Sequence, residues 1–140
     1  HLNSLLASVG RSTMSVEFST SRTSRTGREK PSLDILVKMS GVVRPVEALS
    51  GGERALISVA SMAALGLWIN EEAGDVVEDL YFDETLGAMD TDLSARALRA
   101  LFSAVEEKFA AVHVITHDPN ALSRVAGCRL VKMGEPDLAL

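Results

Sequence analysis

The sequence predicts an α/β fold in which an N-terminal β-hairpin precedes a mostly parallel sheet flanked by helices. Two segments with alternating apolar and polar residues, 14–18 and 33–39, predict the hairpin, because successive side chains of a strand point to opposite faces. Two short apolar runs, 80–84 and 111–116, end in polar residues and are typical of buried parallel strands. A segment with helical periodicity precedes each of these runs, an order typical of α/β proteins.

Composition and length predict one aliphatic core. The chain has 140 residues, of which 46% are hydrophobic and 4% aromatic, so we expect a single domain or a lobe of a larger one. The single cysteine, Cys128, excludes an internal disulfide and favours a reducing compartment. We expect it in the core, on a last strand over 128–133. We find neither a signal peptide nor an apolar run of transmembrane length. Because the first residue is His1, we expect a fragment or a processed product.

The net charge of −5 is unevenly distributed along the chain. Residues 1–48 include seven basic and four acidic residues, whereas residues 49–140 include seven basic and fifteen acidic residues. Clustered carboxylates favour a metal ion, and clustered cations favour a polyanion. We therefore look for a metal site in the second part and for a polyanion contact in the first.

The basic residues of the first part are concentrated in the predicted hairpin loop. A short amphipathic helix over 1–11 precedes the hairpin, whose loop extends from Ser19 to Pro31, and a turn and connector follow over 41–48. The loop carries four cations, Arg22, Arg25, Arg28 and Lys30. Such a loop suits non-specific contact with nucleic-acid phosphates. The alternative is a solvated loop without a partner.

A helix start suited to an anion follows at residues 49–54, with the sequence Leu-Ser-Gly-Gly-Glu-Arg. Ser50 is a favourable N-cap residue, and Glu53, three residues later, completes a capping box. Gly51 and Gly52 leave the backbone N–H groups of the first turn accessible to a phosphate, which the helix dipole attracts. The alternative is an ordinary capped helix. We predict that this helix continues to about residue 70, before an acidic loop over 71–79.

Two carboxylates end the first predicted parallel strand, which has the sequence Leu-Tyr-Phe-Asp-Glu over 80–84. The carboxyl ends of parallel strands are where open α/β sheets bind ligands. Asp83 suits Mg²⁺, directly or through a water molecule, because hard cations prefer oxygen ligands. Glu84 is suited to polarise an attacking water. The alternative is a pair of solvent-exposed acids without a ligand.

A tight loop of small residues over 87–90 leads into the next predicted helix, 93–109. Asp90, Thr91 or Asp92 can cap that helix, and capping alone would explain these polar residues.

His117 follows the second parallel strand and is placed to contact a phosphate. The alternative is a structural histidine. Pro119 suits the first turn of a helix, which we predict over 120–125.

Taken together and in order, these segments resemble the C-terminal half of an ABC-type ATPase head. In that family, Leu49-Ser50-Gly51-Gly52-Glu53 resembles the signature motif, and Leu80 to Glu84 resembles the Walker B strand with its catalytic glutamate. Asp90 resembles the D-loop aspartate, and Thr116-His117-Asp118 resembles the switch-histidine segment. The resemblance covers about residues 49–118.

The hairpin before the signature motif, together with Glu53-Arg54, is similar to the SbcC-type ATPases of DNA double-strand-break repair, relatives of the SMC proteins. The resemblance implies that Arg54 couples the nucleotide state to lobe movement. It also implies a single lobe, divided into the end of a coiled-coil helix (1–11), a β-hairpin with a basic loop (12–48) and a motif-bearing subdomain (49–140).

The sequence departs from the complete family pattern in four places. It has no G-x-x-x-x-G-K-[ST] loop and no candidate glutamine loop. Thr85 stands where many ABC proteins have proline, and Met89 where the D-loop usually has leucine. The missing loops imply that this chain hydrolyses ATP only together with an N-terminal lobe that carries the Walker A loop, on the same or a separate chain.

The resemblance implies ATP and Mg²⁺ as ligands. Asp83 would help to hold Mg²⁺, and Glu84 and His117 would be catalytic. The residues that would bind ATP across a dimer of two heads are Leu49, Ser50, Gly51, Gly52, Glu53 and Asp90.

The resemblance further implies double-stranded DNA and an SbcD-type nuclease as partners, with DNA contacted through the basic loop and no membrane association. The expected location is the cytoplasm or the nucleoid, or the nucleus in a eukaryote. Three alternatives are open: an SMC- or RecN-like DNA-tethering head, a transporter nucleotide-binding domain, and a non-catalytic dimerisation or DNA-binding module.

Overall fold

The N-terminal hairpin belongs to a three-stranded antiparallel sheet, and the second half of the chain contains a parallel strand pair. The computed structural model describes residues 1–23, 29–74 and 76–131. The elements in chain order are α1 (Leu2–Ser8), β1 (Met14–Thr23), β2 (Glu29–Met39), β3 (Val42–Pro45), a 3₁₀ helix (Val46–Ala48), α2 (Gly51–Ala73), β4 (Asp79–Asp83), α3 (Thr91–Val105), β5 (Ala111–Ile115) and α4 (Pro119–Leu122).

Helix α1 packs against the antiparallel sheet and against α2. Its apolar residues Leu5 and Leu6 are buried in the same core as Met14 and Val37 of the sheet. Asn3 fixes the helix to β1, because its side-chain amide donates to the carbonyl oxygen of Val16 at 3.3 Å and accepts from the Val16 N–H at 2.8 Å.

The predicted hairpin loop is shorter than expected. Strand β1 continues to Thr23 and β2 begins at Glu29, so the prediction of a loop from Ser19 to Pro31 is wrong at both ends. The polar residues there continue the backbone ladder, with one irregularity between Ser19 and Ser21. Backbone pairing does not require apolar side chains, and the alternation criterion therefore ended β1 too early and began β2 too late.

The predicted connector over 41–48 is also wrong, because it contains strand β3 and the 3₁₀ helix. Met39 pairs with Val42 across a two-residue turn, in which Ser40 and Gly41 have φ angles of 50° and 85°. Two consecutive positive φ angles are the requirement of a type I′ hairpin turn, whose twist matches that of the strands.

Helix α2 is the longest element and lies at the centre of the core. Its buried stripe includes Leu56, Ala60, Ala63 and Leu67. It ends at Ala73, three residues into the predicted acidic loop, with Gly74 in the left-handed conformation at φ 82°.

Helix α2 is also long and apolar enough to cross a membrane, by length and composition alone. This criterion averages hydropathy over the helix, whereas α2 contains no uninterrupted apolar run of transmembrane length. Core helices of globular proteins meet it too, and the buried stripe of α2 accounts for much of its apolar character.

Strands β4 and β5 pair in parallel, from Asp79 opposite Ala111 to Asp83 opposite Ile115. One face of this pair packs against α2 through Leu80 and Phe82, which are buried. The opposite face exposes alternate residues, including Tyr81 and Ile115.

The helices that follow β4 and β5 are shorter than predicted. Helix α3 ends at Val105 rather than near residue 109, and α4 covers Pro119–Leu122 rather than 120–125. The expected strand over 128–133 is absent from its described part, 128–131, and Cys128 is exposed rather than in the core. Residues 132 and 133 lie outside the described residues.

Candidate functional site

The first turn of α2 is held by the predicted capping box. The Glu53 N–H donates to the Ser50 Oγ at 3.3 Å, and the Ser50 N–H donates to the Glu53 carboxylate at 3.0 Å. The Ser50 hydroxyl donates to the same carboxylate oxygen at 2.8 Å. Because Ser50 and Gly51 are exposed, this helix start is accessible from solvent.

Glu53 is stabilised as a carboxylate. Hydrogen bonds from the Ser50 backbone and side chain lower the pKa of Glu53 below its ordinary value of 4.5, and the positive charges of Arg11 and Arg44 contribute in the same direction. Sequence reasoning missed both arginines. Arg11 lies between α1 and β1, and Arg44 lies on β3; no sequence pattern relates them to Glu53.

Leu49 and Arg54, the first and last residues of the signature-like segment 49–54, lie in different environments. Leu49 is buried, so it can contribute to an exposed ligand site only through its backbone. Arg54 is exposed, and its N–H donates to the Ser50 carbonyl oxygen as part of the helix.

The loop that contains Asp90 packs against the start of α2. A Cβ atom at Gly52 would lie 3.2 Å from the Ala88 carbonyl oxygen, and a Cβ atom at Gly51 would lie 3.7 Å from the Ala88 Cβ. Asp90 itself caps α3, since its carboxylate accepts from the Leu93 N–H at 2.8 Å. The structure therefore brings the signature-like and D-loop-like segments together within one chain.

Asp83 and Glu84 lie at the carboxyl end of β4, as predicted. The Glu84 N–H donates to the Ile115 carbonyl oxygen at 2.9 Å, which extends the parallel pairing by one residue. Glu84 has a φ of 50°, an uncommon value for a residue with a side chain. This conformation ends the strand and begins the loop toward Asp90.

His117 lies beside Glu84, because β4 and β5 are adjacent and parallel. The His117 Nε2 atom is 3.6 Å from the Glu84 Oε1 atom, and the two side chains are 95% and 42% exposed. At this exposure the ion pair, which requires a protonated histidine, contributes little to stability. Both groups are thus available to a ligand.

Asp118, next to His117, links this strand end to α3. Its carboxylate accepts from the Asn120 N–H at 3.0 Å and faces the Thr91 hydroxyl at 3.4 Å. The Asp118 N–H donates to the Thr116 hydroxyl at 3.1 Å. Sequence reasoning did not predict the contact with Thr91, which depends on the packing of α3 against the loop after β5.

The predicted DNA-binding residues are only partly described. Arg22 and Lys30 are register partners on β1 and β2, whereas Arg25 and Arg28 lie outside the described residues.

No metal site is complete within residues 1–23, 29–74 and 76–131. No three His, Cys, Asp or Glu side chains in these ranges are grouped so as to hold a metal ion. Asp83 fits the role of a single oxygen ligand, which leaves the other ligands to come from elsewhere.

A groove of about 540 Å³ lies away from the candidate site. It lies between α1 and α3 and is lined by residues that include Gly10, Arg96 and Arg99. The motif residues Ser50, Glu84 and His117 are instead exposed.

Comparison with known proteins finds similar sequences and similar structures. No family model matches the chain. The SbcC component of the nuclease SbcCD from Bacillus subtilis (strain 168) is 33% identical to the chain over 96 residues, which are 69% of this chain and 8% of that protein. A solved structure from work on ATP-driven dimerization and DNA-stimulated activation of SMC ATPases matches with a TM-score of 0.63 and 20% identity, covering 96% of this chain and 75% of that one.

The first similarity is in sequence, to an SbcC protein, and the second is in fold, to a structure from work on SMC ATPases. The predicted fold class is confirmed: the chain is a mixed α/β structure with an antiparallel hairpin sheet and a parallel sheet flanked by helices. The chain spans 8% of the length of its B. subtilis relative.

Proposed function

We propose that this chain is the C-terminal half of an ATP-dependent DNA-repair ATPase head of the SbcC type. The observation that supports this most is the position of Asp83, Glu84 and His117 at the adjacent ends of β4 and β5, with Glu84 and His117 3.6 Å apart. The sequence similarity to the B. subtilis SbcC protein supports the choice of branch.

In this proposal the strand ends perform ATP hydrolysis. Glu84 orients the attacking water and accepts its proton, and His117 donates a hydrogen bond to the γ-phosphate. Asp83 helps to hold Mg²⁺, which neutralises phosphate charge when bound. The exposure of Glu84 and His117 leaves room for a nucleotide between them and a second lobe.

The proposal requires an N-terminal lobe that carries the Walker A loop. Parallel sheets in proteins are covered on both faces, whereas the β4–β5 pair leaves Tyr81 and Ile115 56% and 53% exposed. We propose that the N-terminal lobe covers this face and supplies the main phosphate-binding loop. This chain alone would then be inactive as an ATPase.

The start of α2 would act on a second head. Ser50 and the backbone N–H groups after it would bind the γ-phosphate held by the opposite head, and Asp90 would lie in the same interface. ATP would therefore close two heads, and hydrolysis would reopen them. The described contacts join Ser50 to neither Glu84 nor His117, which agrees with action in trans.

Opening and closing of the heads would control DNA tethering and an SbcD-type nuclease in the cytoplasm or nucleoid. An SMC- or RecN-like tethering head is the second candidate, favoured by the match in fold to an SMC ATPase. Co-purification with an SbcD-type nuclease distinguishes the two, because a tethering head needs no such partner.

ATP turnover tests the proposal. The chain should be inactive alone and should hydrolyse ATP in a Mg²⁺-dependent manner when mixed with a lobe that carries a Walker A loop. Glu84→Gln should abolish turnover in the mixture, whereas Glu47→Gln, on the exposed 3₁₀ helix, should not. Turnover by the isolated chain, or turnover that survives Glu84→Gln, would contradict the proposal.

A further inference from the structure

We infer that Gly52 is a positioning residue that fixes the start of α2 to the loop before Asp90, so that the two segments move as one unit. The role of Gly52 is thus packing within one chain, and differs from that of the adjacent Gly51. The packing contact does not depend on the proposed function. The effect of this contact on ATP-driven closure of two heads rests on the proposed function.

The evidence for Gly52 is the closeness of the loop backbone. A Cβ atom at this position would lie 3.2 Å from the Ala88 carbonyl oxygen and 3.7 Å from the Met89 Cα. The neighbouring atoms belong to the backbone, so a side-chain rotation cannot relieve the contact. Any residue larger than glycine must therefore displace the loop.

The loop has little freedom to move away. Leu86 and Met89 are buried in the core, and the Met89 N–H donates to the Leu86 carbonyl oxygen at 2.9 Å. The Gly87 N–H donates to the Glu84 carbonyl oxygen at 3.3 Å, which connects the loop to the strand end. A displacement at Gly52 is therefore transmitted toward both Glu84 and Asp90.

Gly51 provides a matched control on the same helix turn. It is exposed, and a Cβ atom there would lie 3.7 Å from the Ala88 Cβ, an ordinary van der Waals distance. Alanine fits at residue 51 without moving the loop. The packing within this chain therefore requires glycine at residue 52 but not at residue 51.

Hydrogen exchange without nucleotide tests the contact directly. In this chain combined with the Walker A lobe, Gly52→Ala should accelerate exchange of the amides of residues 86–90 by about tenfold, and Gly51→Ala should change it by less than about twofold. Equal effects of the two substitutions, or unchanged exchange in Gly52→Ala, would overturn the inference.

A second variant covers the case in which Gly52→Ala does not fold. Ala88→Gly adds no atoms and loosens the loop, so it should also accelerate exchange in the first turn of α2, at Arg54 and Ala55, across the contact. An effect confined to the loop would contradict the coupling.

Turnover separates this inference from the proposed function. Gly52→Ala should lower kcat and leave KM for ATP within about twofold, because the main phosphate loop lies on the other lobe. If the unaltered assembly shows no ATP turnover, the proposed function fails, whereas the exchange result decides the packing role independently. A KM that rises with kcat unchanged would contradict a positioning role.

Discussion

Ser50 and Glu53 form a charge-assisted cap whose contribution to stability depends on pH. Because the folded pKa of Glu53 is lowered from 4.5, the carboxylate stabilises the fold at neutral pH, and this contribution disappears as the pH falls from 4.5 through the folded value. Glu53→Gln should lower the free energy of unfolding by about 0.5 kcal/mol at neutral pH. Urea unfolding curves at neutral pH and well below pH 4.5 measure this difference.

Glu47→Gln is the matched control for Glu53. Glu47 is exposed on the 3₁₀ helix, so its substitution should leave the unfolding free energy unchanged at both pH values. A deficit in Glu53→Gln that persists in acid would contradict the electrostatic explanation.

Thr85 contains a buried hydroxyl without a hydrogen-bond partner among the described residues. Valine has nearly the same shape, so Thr85→Val should raise the free energy of unfolding by about 1 kcal/mol. Thr91→Val is the matched contrast, since the Thr91 hydroxyl faces the Asp118 carboxylate at 3.4 Å and its removal should be destabilising. Thermal unfolding of both variants gives the comparison. A less stable Thr85→Val protein would show that the hydroxyl has a partner.

Within the candidate site, contacts between residues close in the sequence were predictable, whereas contacts between residues distant in the sequence were not. The Ser50–Glu53 cap depends on residues three apart, which the sequence displays directly. The proximity of Arg11 to Glu53 and of Thr91 to Asp118 depends on how separate elements pack. No residue spacing encodes these contacts.

At the scale of elements, the packing of α2 on β4 depends on Gly66. A Cβ atom there would lie 3.0 Å from the Phe109 Cζ and 3.1 Å from the Leu80 Cδ2. We expect Gly66→Ala to destabilise the protein by about 1–2 kcal/mol, because overpacking of the core exceeds the gain in helix propensity. Combining it with Phe109→Leu should restore part of the stability. Chemical denaturation measures both, and a more stable Gly66→Ala protein would contradict this packing.

The basic hairpin is the element proposed to contact DNA. Reversing the charges of Arg25 and Arg28 should weaken binding regardless of DNA sequence and should reduce the slope of log K against log salt by about 0.9 for each phosphate that is no longer neutralised. Lys108→Glu, on the exposed segment after α3, should leave the slope unchanged. Fluorescence anisotropy over a series of salt concentrations gives these slopes. An unchanged slope in the double variant would exclude Arg25 and Arg28 as DNA contacts.

The strands were predicted less completely than the helices, for a physical reason. Helix α2 and its cap follow from strong periodicity and a capping box, and β4 and β5 from short apolar runs. Strand β3 was missed because all its residues are exposed, so it has no alternation to detect. The Ser40-Gly41 turn was the available signal, since two residues with positive φ connect strands directly.

At the scale of the whole molecule, the described chain has the surfaces of a partial structure. The open face of the β4–β5 pair is one such surface, and the side of α2 opposite the core is another, with Met62, Leu65 and Trp68 exposed. A helix that is apolar on opposite faces is typical of the interior of a larger assembly. These features agree with the fragment of an SbcC-type head that we propose. The exposure of these two apolar faces was not predictable from the sequence, because it depends on which side of each element packs on the core.

The central claim is that ATP joins two heads through the start of α2. The most direct measurement is sedimentation of the chain assembled with the Walker A lobe, with and without ATP and Mg²⁺. ATP should double the mass, and Glu84→Gln should hold the doubled form by blocking hydrolysis. Ser50→Arg should prevent it, while Glu107→Arg, on the exposed segment after α3, should not. ATP-driven doubling that survives Ser50→Arg would contradict the account.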